Sequence, residues 1–393
     1  MKQVNIQEYT EQLKTLVNIE SGSYYPEGIN RVADELEKWY RELGWHIERH
    51  DLGSETGNLL VISNRPAEHY DVLFIGHIDT VFPVGSVAEH PFTLEGDKAY
   101  GLGTCDMKNG DVAMYQVAKL LDPKALETLN ICMIYNPDEE IGSRYSRKIV
   151  DEIASRTDYA YVMESATEGN CACISRKGSL GCTFRFHGQA AHAGYIFTRP
   201  NASAVLEMAH YIVELMALRN KEMDTSANVG VAKGGTVSNA VADYAEITFE
   251  SRYWSLEEQA RVKAKLESLV NGEPFVPGVT VEMVNFRCGD PWNRTPASEA
   301  HLAHIQSIAD KLGIPFTEEG RGGGSDAMHI APAGPITIDG MGPAGGGLAH
   351  NLGEFTHISP ISDCVNLLCA VLEDLAQSKL QGPPTDPKQS KGC

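Results

Sequence analysis

Nowhere in the 393 residues does an apolar run approach the ~20 residues that a membrane-crossing helix needs. Positive charge is scarce as well. Lys and Arg total 33 against 53 Asp and Glu, a formal charge of −20, which repels nucleic acid and anionic lipid, so neither is expected as a partner. The nine cysteines are odd in number and show no paired spacing, which suits a reducing cytoplasm better than a disulfide framework. The opening residues, Met1-Lys2-Gln3-Val4-Asn5, carry no apolar leader, so export is not expected and the cytoplasm is the expected location. No internal repeat is apparent. The chain does have 42% hydrophobic residues, ample for packed cores, and a length that suits two domains.

The strongest signal is a set of short apolar runs that end in metal-binding side chains. Val72 to Ile75 reads as a strand buried on both faces, and it leads through Gly76 into His77, with Asp79 two positions on. Ligands of open α/β sheets bind beyond the carboxyl ends of the strands. His77 is therefore either a metal ligand, with Asp79 fixing its ring, or half of a local polar contact. Ile131 to Tyr135 leads into Asp138-Glu139-Glu140, three carboxylates that repel one another unless cations or protons compensate. They read as a solvated capping turn, or as a ligand beside a group facing water. Tyr159 to Met163 delivers Glu164, and Ile336 to Ile338 precedes a glycine-rich loop to His350. Asp106 stands ahead of an amphipathic helix whose end amides could steady it; a solvated loop Asp is the alternative. The glycines at 101 and 103 do not make a dinucleotide loop, because Asp106 takes the third glycine's place and no strand leads in. Taken together, two His and three carboxylates can share two divalent ions, one carboxylate bridging.

Elsewhere, Ile6 to Val17 and Val32 to Leu43 have helical spacing, His46 to Ser63 alternates like paired strands, and residues 81–103 read as a long loop. Residues 179–286 read as βαββαβ, the ferredoxin-like order, inserted into the sheet domain. The expected architecture is α/β with two domains: a di-metal catalytic α/β/α domain over 1–177 and 290–380, and an inserted ferredoxin-like lid or dimerisation domain over 178–289. Residues 381–393 are polar and are expected to be disordered. His301 and His304, three apart on a predicted helix, read as a surface pair rather than a chelate. Ser325 lacks the G-x-S-x-G frame of a nucleophile, and Cys105 reads as a packing residue.

Gly76 to Val81, Asp106 to Gly110, Asp138 to Gly142, Glu164, Gly188 to Gly194, Gly322 to Ala327 and His350 together resemble the M20 metallopeptidases, most closely their glutamate carboxypeptidase branch. The resemblance spans nearly the whole chain. It implies His77 and Glu164 on one metal, Glu140 and His350 on the other, and Asp106 bridging. Glu139 is implied as general base, Asp79 as the partner of His77, and His192 as a residue that often reaches into a partner subunit's active site. Asn239, Arg252 and Arg321, with Gly323 and Gly324, are implied as substrate contacts. Arg321 before three glycines otherwise reads as a surface arginine or a carboxylate clamp.

The expected cofactors are two divalent ions per chain, zinc first, with manganese or cobalt as alternatives. The expected reaction is cleavage of an amide next to a C-terminal amino acid, glutamate or similar, through metal-activated water. An N-acyl-amino-acid deacylase or desuccinylase, a dipeptidase, or a metal-binding scaffold without turnover are the rivals. A homodimer through the inserted domain and a cis Asp106–Met107 peptide are also expected. Two departures stand out: Asn109-Gly110 replaces the usual glycine pair, and the loop before His350 is looser than the family's.

Overall fold

The computed structural model describes residues 1–166, 169–346 and 349–381, which form a mixed α/β structure with several sheets. Chain contacts divide it into two compact units. The first comprises residues 1–174, 294–319 and 325–393, and the second 175–293 and 320–324. Residues 175–177, 290–293 and 320–324, which the sequence reading gave to the sheet domain, thus cluster with the second unit.

The first unit is built on a six-stranded sheet. Its strands are β1 (His46–His50), β2 (Leu59–Ser63), β3 (Tyr70–His77), β4 (Ile131–Asn136), β5 (Thr157–Val162) and β6 (Ile336–Ile338). Their order across the sheet is β1-β2-β4-β3-β5-β6. β3 runs parallel to both β4 and β5, and β5 to β6, whereas β2 is antiparallel to its neighbours. Val72, Leu73, Phe74 and Ile75 are all fully buried. A strand covered on both faces must be apolar throughout, which is why the run lacks polar alternation. The parallel register sets Gly76 opposite Tyr135 and His77 opposite Asn136, so neighbouring strands end together.

Three sequence expectations change. The second helix is Pro26–Glu42 rather than 32–43, because Pro26 in the first turn has the φ a helix start needs and lacks only an N–H that would go unused there. Residues 81–103 are not all loop. Thr93–Glu95 and Lys98–Tyr100 form a hairpin, and the second of these strands pairs with Phe355–His357, Tyr100 opposite Phe355. The last helix, Ile361–Gln381, takes in Gln381, and the expected disorder of 382–393 lies outside the described residues.

The second unit has a four-stranded antiparallel sheet, ordered Ser226–Gly234, Tyr244–Tyr253, Gly178–His187, Thr280–Gly289, with helices Ala204–Met216 and Leu256–Asn271. Leu180, Phe184, Phe186, Ile247 and Phe249 pack with Tyr211, Leu215, Val262 and Leu266 in a core of its own. Strand Ser226–Gly234 forms one edge of that sheet.

Candidate metal centre

The ends of the parallel strands gather the candidate ligands of the first unit. His77 closes β3 and is 1% exposed. Its Nε2 lies 3.0 Å from Asp106 Oδ1 and 3.6 Å from Glu164 Oε1. The other carboxylate oxygen of Asp106, Oδ2, lies 3.1 Å from His350 Nε2, which is also 3.1 Å from Glu140 Oε2. Five side chains therefore form two groups, His77 with Glu164 and His350 with Glu140, and Asp106 turns one oxygen to each. His77, Asp106 and Glu140 bring ligand atoms within 4.8 Å of one another.

Asp106 belongs to a short turn, Thr104–Lys108, before helix Asn109–Leu120, and its peptide to Met107 is cis. The turn is held from below by Glu354, which no sequence reading singled out. Its Oε1 accepts from the Cys105 and Asp106 amides at 2.6 and 2.9 Å, and its Oε2 from the Gly103 amide at 3.2 Å. Asn109 is fixed by Thr356 Oγ1, to which it donates at 2.6 Å, and by the Tyr9 hydroxyl, which donates to it at 2.7 Å. At Gly110 an added Cβ would fall 2.1 Å from the Met163 carbonyl oxygen, so glycine is needed there while position 109 tolerates a side chain.

Asp79 does more than face His77. His77 Nδ1 lies 3.1 Å from the Asp79 carbonyl oxygen and 3.3 Å from its carboxylate. The carboxylate accepts from the amides of Glu139 and Glu140, at 3.1 and 3.2 Å, and from Ser23 Oγ at 2.6 Å. It thus fixes both the histidine and the turn Glu139–Ile141.

The charges of the cluster act strongly on one another. Burial opposes charge on His77, but hydrogen bonds to Asp106 and Asp79 and the charge of Glu164 raise its pKa well above the usual histidine range. Hydrogen bonds that His350 donates to Asp106 and Glu140 push its pKa up to about 10. Burial, with His350 and His77 opposing it more strongly, leaves Asp106 well below the ordinary carboxylate range. Burial raises Glu139 and Glu140, helped by the surrounding carboxylates. Five carboxylates, Asp79, Asp106, Glu139, Glu140 and Glu164, around two imidazoles demand added positive charge, which protons or cations can supply. Glu140 Oε1 is buried with no hydrogen-bond partner among the described residues. Nitrogen and oxygen donors in two groups sharing one carboxylate suit a pair of divalent ions.

The remaining candidates lie on the second unit. His192 is exposed, and its Nδ1 accepts from the Gly194 amide at 3.1 Å, which in a neutral ring leaves the proton on Nε2. Asn239 is exposed, its carbonyl oxygen accepting from the Ala193 amide. Arg252 is bound through Nε to Glu250 at 2.7 Å. Arg321 precedes the exposed Gly322, Gly323 and Gly324. A second residue missed in the sequence, Arg176, is 4% exposed and donates to the carbonyl oxygens of Gly323 and Gly324, both at 3.0 Å. The expected His301–His304 surface pair is not a pair. His301 is buried beside the Tyr161 hydroxyl at 2.8 Å, burial lowers its pKa to about 4, and His304 instead meets Asp374.

Comparison with known proteins gives a consistent picture. The profile of Peptidase family M20/M25/M40 matches residues 73–374. Carboxypeptidase G2 of Pseudomonas sp. (strain RS-16) is 29% identical over 374 residues, 93% of this chain and 89% of that protein. A succinyl-diaminopimelate desuccinylase of Stenotrophomonas maltophilia (strain R551-3) is 26% identical, covering 77% of this chain and 84% of its own. A solved tripeptidase of Staphylococcus aureus shares the fold, with a TM-score of 0.78 at 20% identity over 95% of this chain and all of the other.

Proposed function

This chain belongs to Peptidase family M20/M25/M40, and from that premise we propose a di-metal hydrolase that cleaves the amide next to a C-terminal glutamate or similar amino acid. The observation that carries the reading is Asp106 turning one carboxylate oxygen to each of two ligand groups, with Glu139 next to Glu140 in the same turn. His77 and Glu164 would hold one ion, His350 and Glu140 the other, and Asp106 both. Zinc suits this donor set, with manganese or cobalt as alternatives. Bound ions supply Lewis acidity, which acidifies water and polarises a carbonyl.

The protein's own groups do the rest. Glu139 takes the proton of the attacking water and returns it to the leaving amine. Asp79 holds the Glu139 and Glu140 amides and orients His77. His192 presents Nε2–H as donor to the tetrahedral oxyanion, work typically worth ~2.7–4 kcal/mol. Arg321, with Arg252 and Asn239, holds the substrate carboxylate, because a guanidinium can grip it with two hydrogen bonds. Gly323 and Gly324 let that substrate approach the backbone, and Arg176 keeps their loop in place. The exposed edge strand Ser226–Gly234 supports a homodimer through the second unit.

Arg321→Ala tests the substrate side. It should cost ~2–5 kcal/mol on carboxylate-bearing substrates, about 30- to 5000-fold in kcat/KM, and spare their amidated analogues. Equal losses on both would make Arg321 structural, and full wild-type activity on amidated substrates would favour a deacylase or aminopeptidase.

A further inference from the structure

The loop over residues 136–143 carries both Glu139 and Glu140, and one buried carboxylate holds its two ends. Asn136 closes β4, opposite His77 at the end of β3. Asp326 accepts from the Asn136 side-chain amide through Oδ2 at 2.8 Å, and from Ser143 Oγ through Oδ1 at 2.6 Å. Asn136 also donates to Ser143 Oγ at 2.9 Å, so the three side chains form a closed ring across the base of the loop. All three are buried. The loop needs such a tie. Gly142 and Ser143 both have positive φ, 85° and 49°, and the second carries a side chain. A non-glycine residue keeps that left-handed conformation only where its surroundings enforce it. Here the Ser143 amide donates to the Asp138 carbonyl at 2.8 Å, and the hydroxyl fixes the residue from its other side. Asp79 holds the middle of the same loop through the Glu139 and Glu140 amides. Asp326 holds its ends.

Asp326 is itself held from behind. His329, on helix Ala327–Ala333, meets Asp326 Oδ1 through Nε2 at 2.9 Å and Asp151 through Nδ1 at 2.5 Å. A histidine with a carboxylate at each nitrogen donates to both only as the imidazolium. That cation compensates the buried Asp326 and ties it to helix Arg147–Ala154, which bears Asp151. A charged acceptor in turn makes stronger bonds to Ser143 and Asn136 than a neutral one. Apolar side chains of similar volume would fill the same space, and they would leave the ends of the loop untied.

We propose that Asp326 is a positioning residue for the general base: through Asn136 and Ser143 it fixes both ends of the 136–143 loop, and His329 with Asp151 holds its carboxylate in place. This rests on the reading of Glu139 as base and adds what sets the place of that carboxylate. Asp326 acts through the loop and takes no part in the proton transfer.

The test is a double-mutant cycle on the metal-loaded full-length protein, with an N-acyl-glutamate as substrate. Asp326→Asn keeps the shape of the side chain but turns amide hydrogens toward the donors at Asn136 or Ser143. It should lower kcat about 10- to 100-fold, the usual range for a group that orients an active-site residue, with two ions per chain still bound. KM should change less than ~3-fold, because the loss falls on the chemical step. Ser143→Ala removes one hydroxyl and leaves Asp326 paired with Asn136 and His329. It should lower kcat roughly 10-fold in the same way, and it carries the test if Asp326→Asn does not fold. In the Glu139→Gln background either change should cost no more than ~2-fold, since no base is left to position. A merely structural role gives the same loss in both backgrounds. Equal fold-losses with and without Glu139, a loss confined to KM, or a loss that excess zinc restores would overturn the proposal. A Glu139→Gln protein as fast as the wild type would instead overturn the base reading, and the proposal with it, whatever Asp326→Asn does.

Discussion

Asp79 shows how much one side chain can be asked to do. Its position two residues after His77 made it a partner for the ring, and the ring does lie against it. Its other contacts, the amides of Glu139 and Glu140, come from a turn sixty residues on and leave no trace in the local pattern. Glu354 was missed for a related reason. A glutamate in the polar stretch after His350 looks solvated, yet it is fully buried and holds three amides of the Asp106 turn. Burial is the larger influence on it, and despite those amides its pKa rises to about 7. Groups that orient a metal ligand typically contribute 10- to 100-fold in metal affinity. Glu354→Gln should therefore weaken zinc binding by roughly that factor in a calorimetric titration, while far-UV circular dichroism stays unchanged. Wild-type affinity in that variant would show that the three amides are adequately held by the rest of the turn.

At the scale of elements, the strands were legible because a parallel strand buried on both faces has no choice but to be apolar. The three-residue strands of the 93–100 hairpin were not, since Thr93–Glu95 is wholly exposed and too short for a pattern. His301 was misjudged because helical spacing does not say which face a strand will cover. The least visible feature is a buried network behind the Glu139 turn. Asp326 accepts from Ser143 Oγ at 2.6 Å and Asn136 Nδ2 at 2.8 Å, and meets His329 Nε2 at 2.9 Å. The far nitrogen of His329 lies 2.5 Å from Asp151. Burial opposes charge on His329, but Asp151 and Asp326 outweigh it and raise its pKa to about 9. A histidine raised this way stabilises the fold fully below its ordinary pKa of ~6.5, and that stabilisation is lost as pH rises through about 9. The wild type should lose on the order of 1–3 kcal/mol of unfolding free energy between pH 6.5 and 9.5 through this group, the partial exposure of Asp151 trimming the figure. His329→Gln should flatten that slope in urea unfolding, and a slope unchanged in the variant would assign it elsewhere.

For the whole molecule, the formal charge of −20 is partly an account of function, since at least five carboxylates crowd the candidate centre. Among the described residues no helix is long and apolar enough to cross a membrane. The two-domain expectation came from a change of rhythm, and the boundary at residues 320–324 escaped it because that loop returns to the second unit from distant sequence. If the proposed dimer forms and His192 acts in the partner's site, mixing Glu139→Gln with His192→Ala subunits should restore activity that neither homodimer has. No recovery after proven subunit exchange would confine His192 to its own subunit.

If Glu139 is the base of a two-ion hydrolase, Glu139→Gln will separate metal binding from turnover. Removing the carboxylate charge without altering the shape should leave two divalent ions per chain, counted by metal analysis after gel filtration. Turnover of an N-acyl-glutamate should fall by at least ~10²–10⁴-fold, the usual contribution of a general base. Undiminished hydrolysis by that variant, or a wild-type protein that binds fewer than two ions when active, would contradict the account.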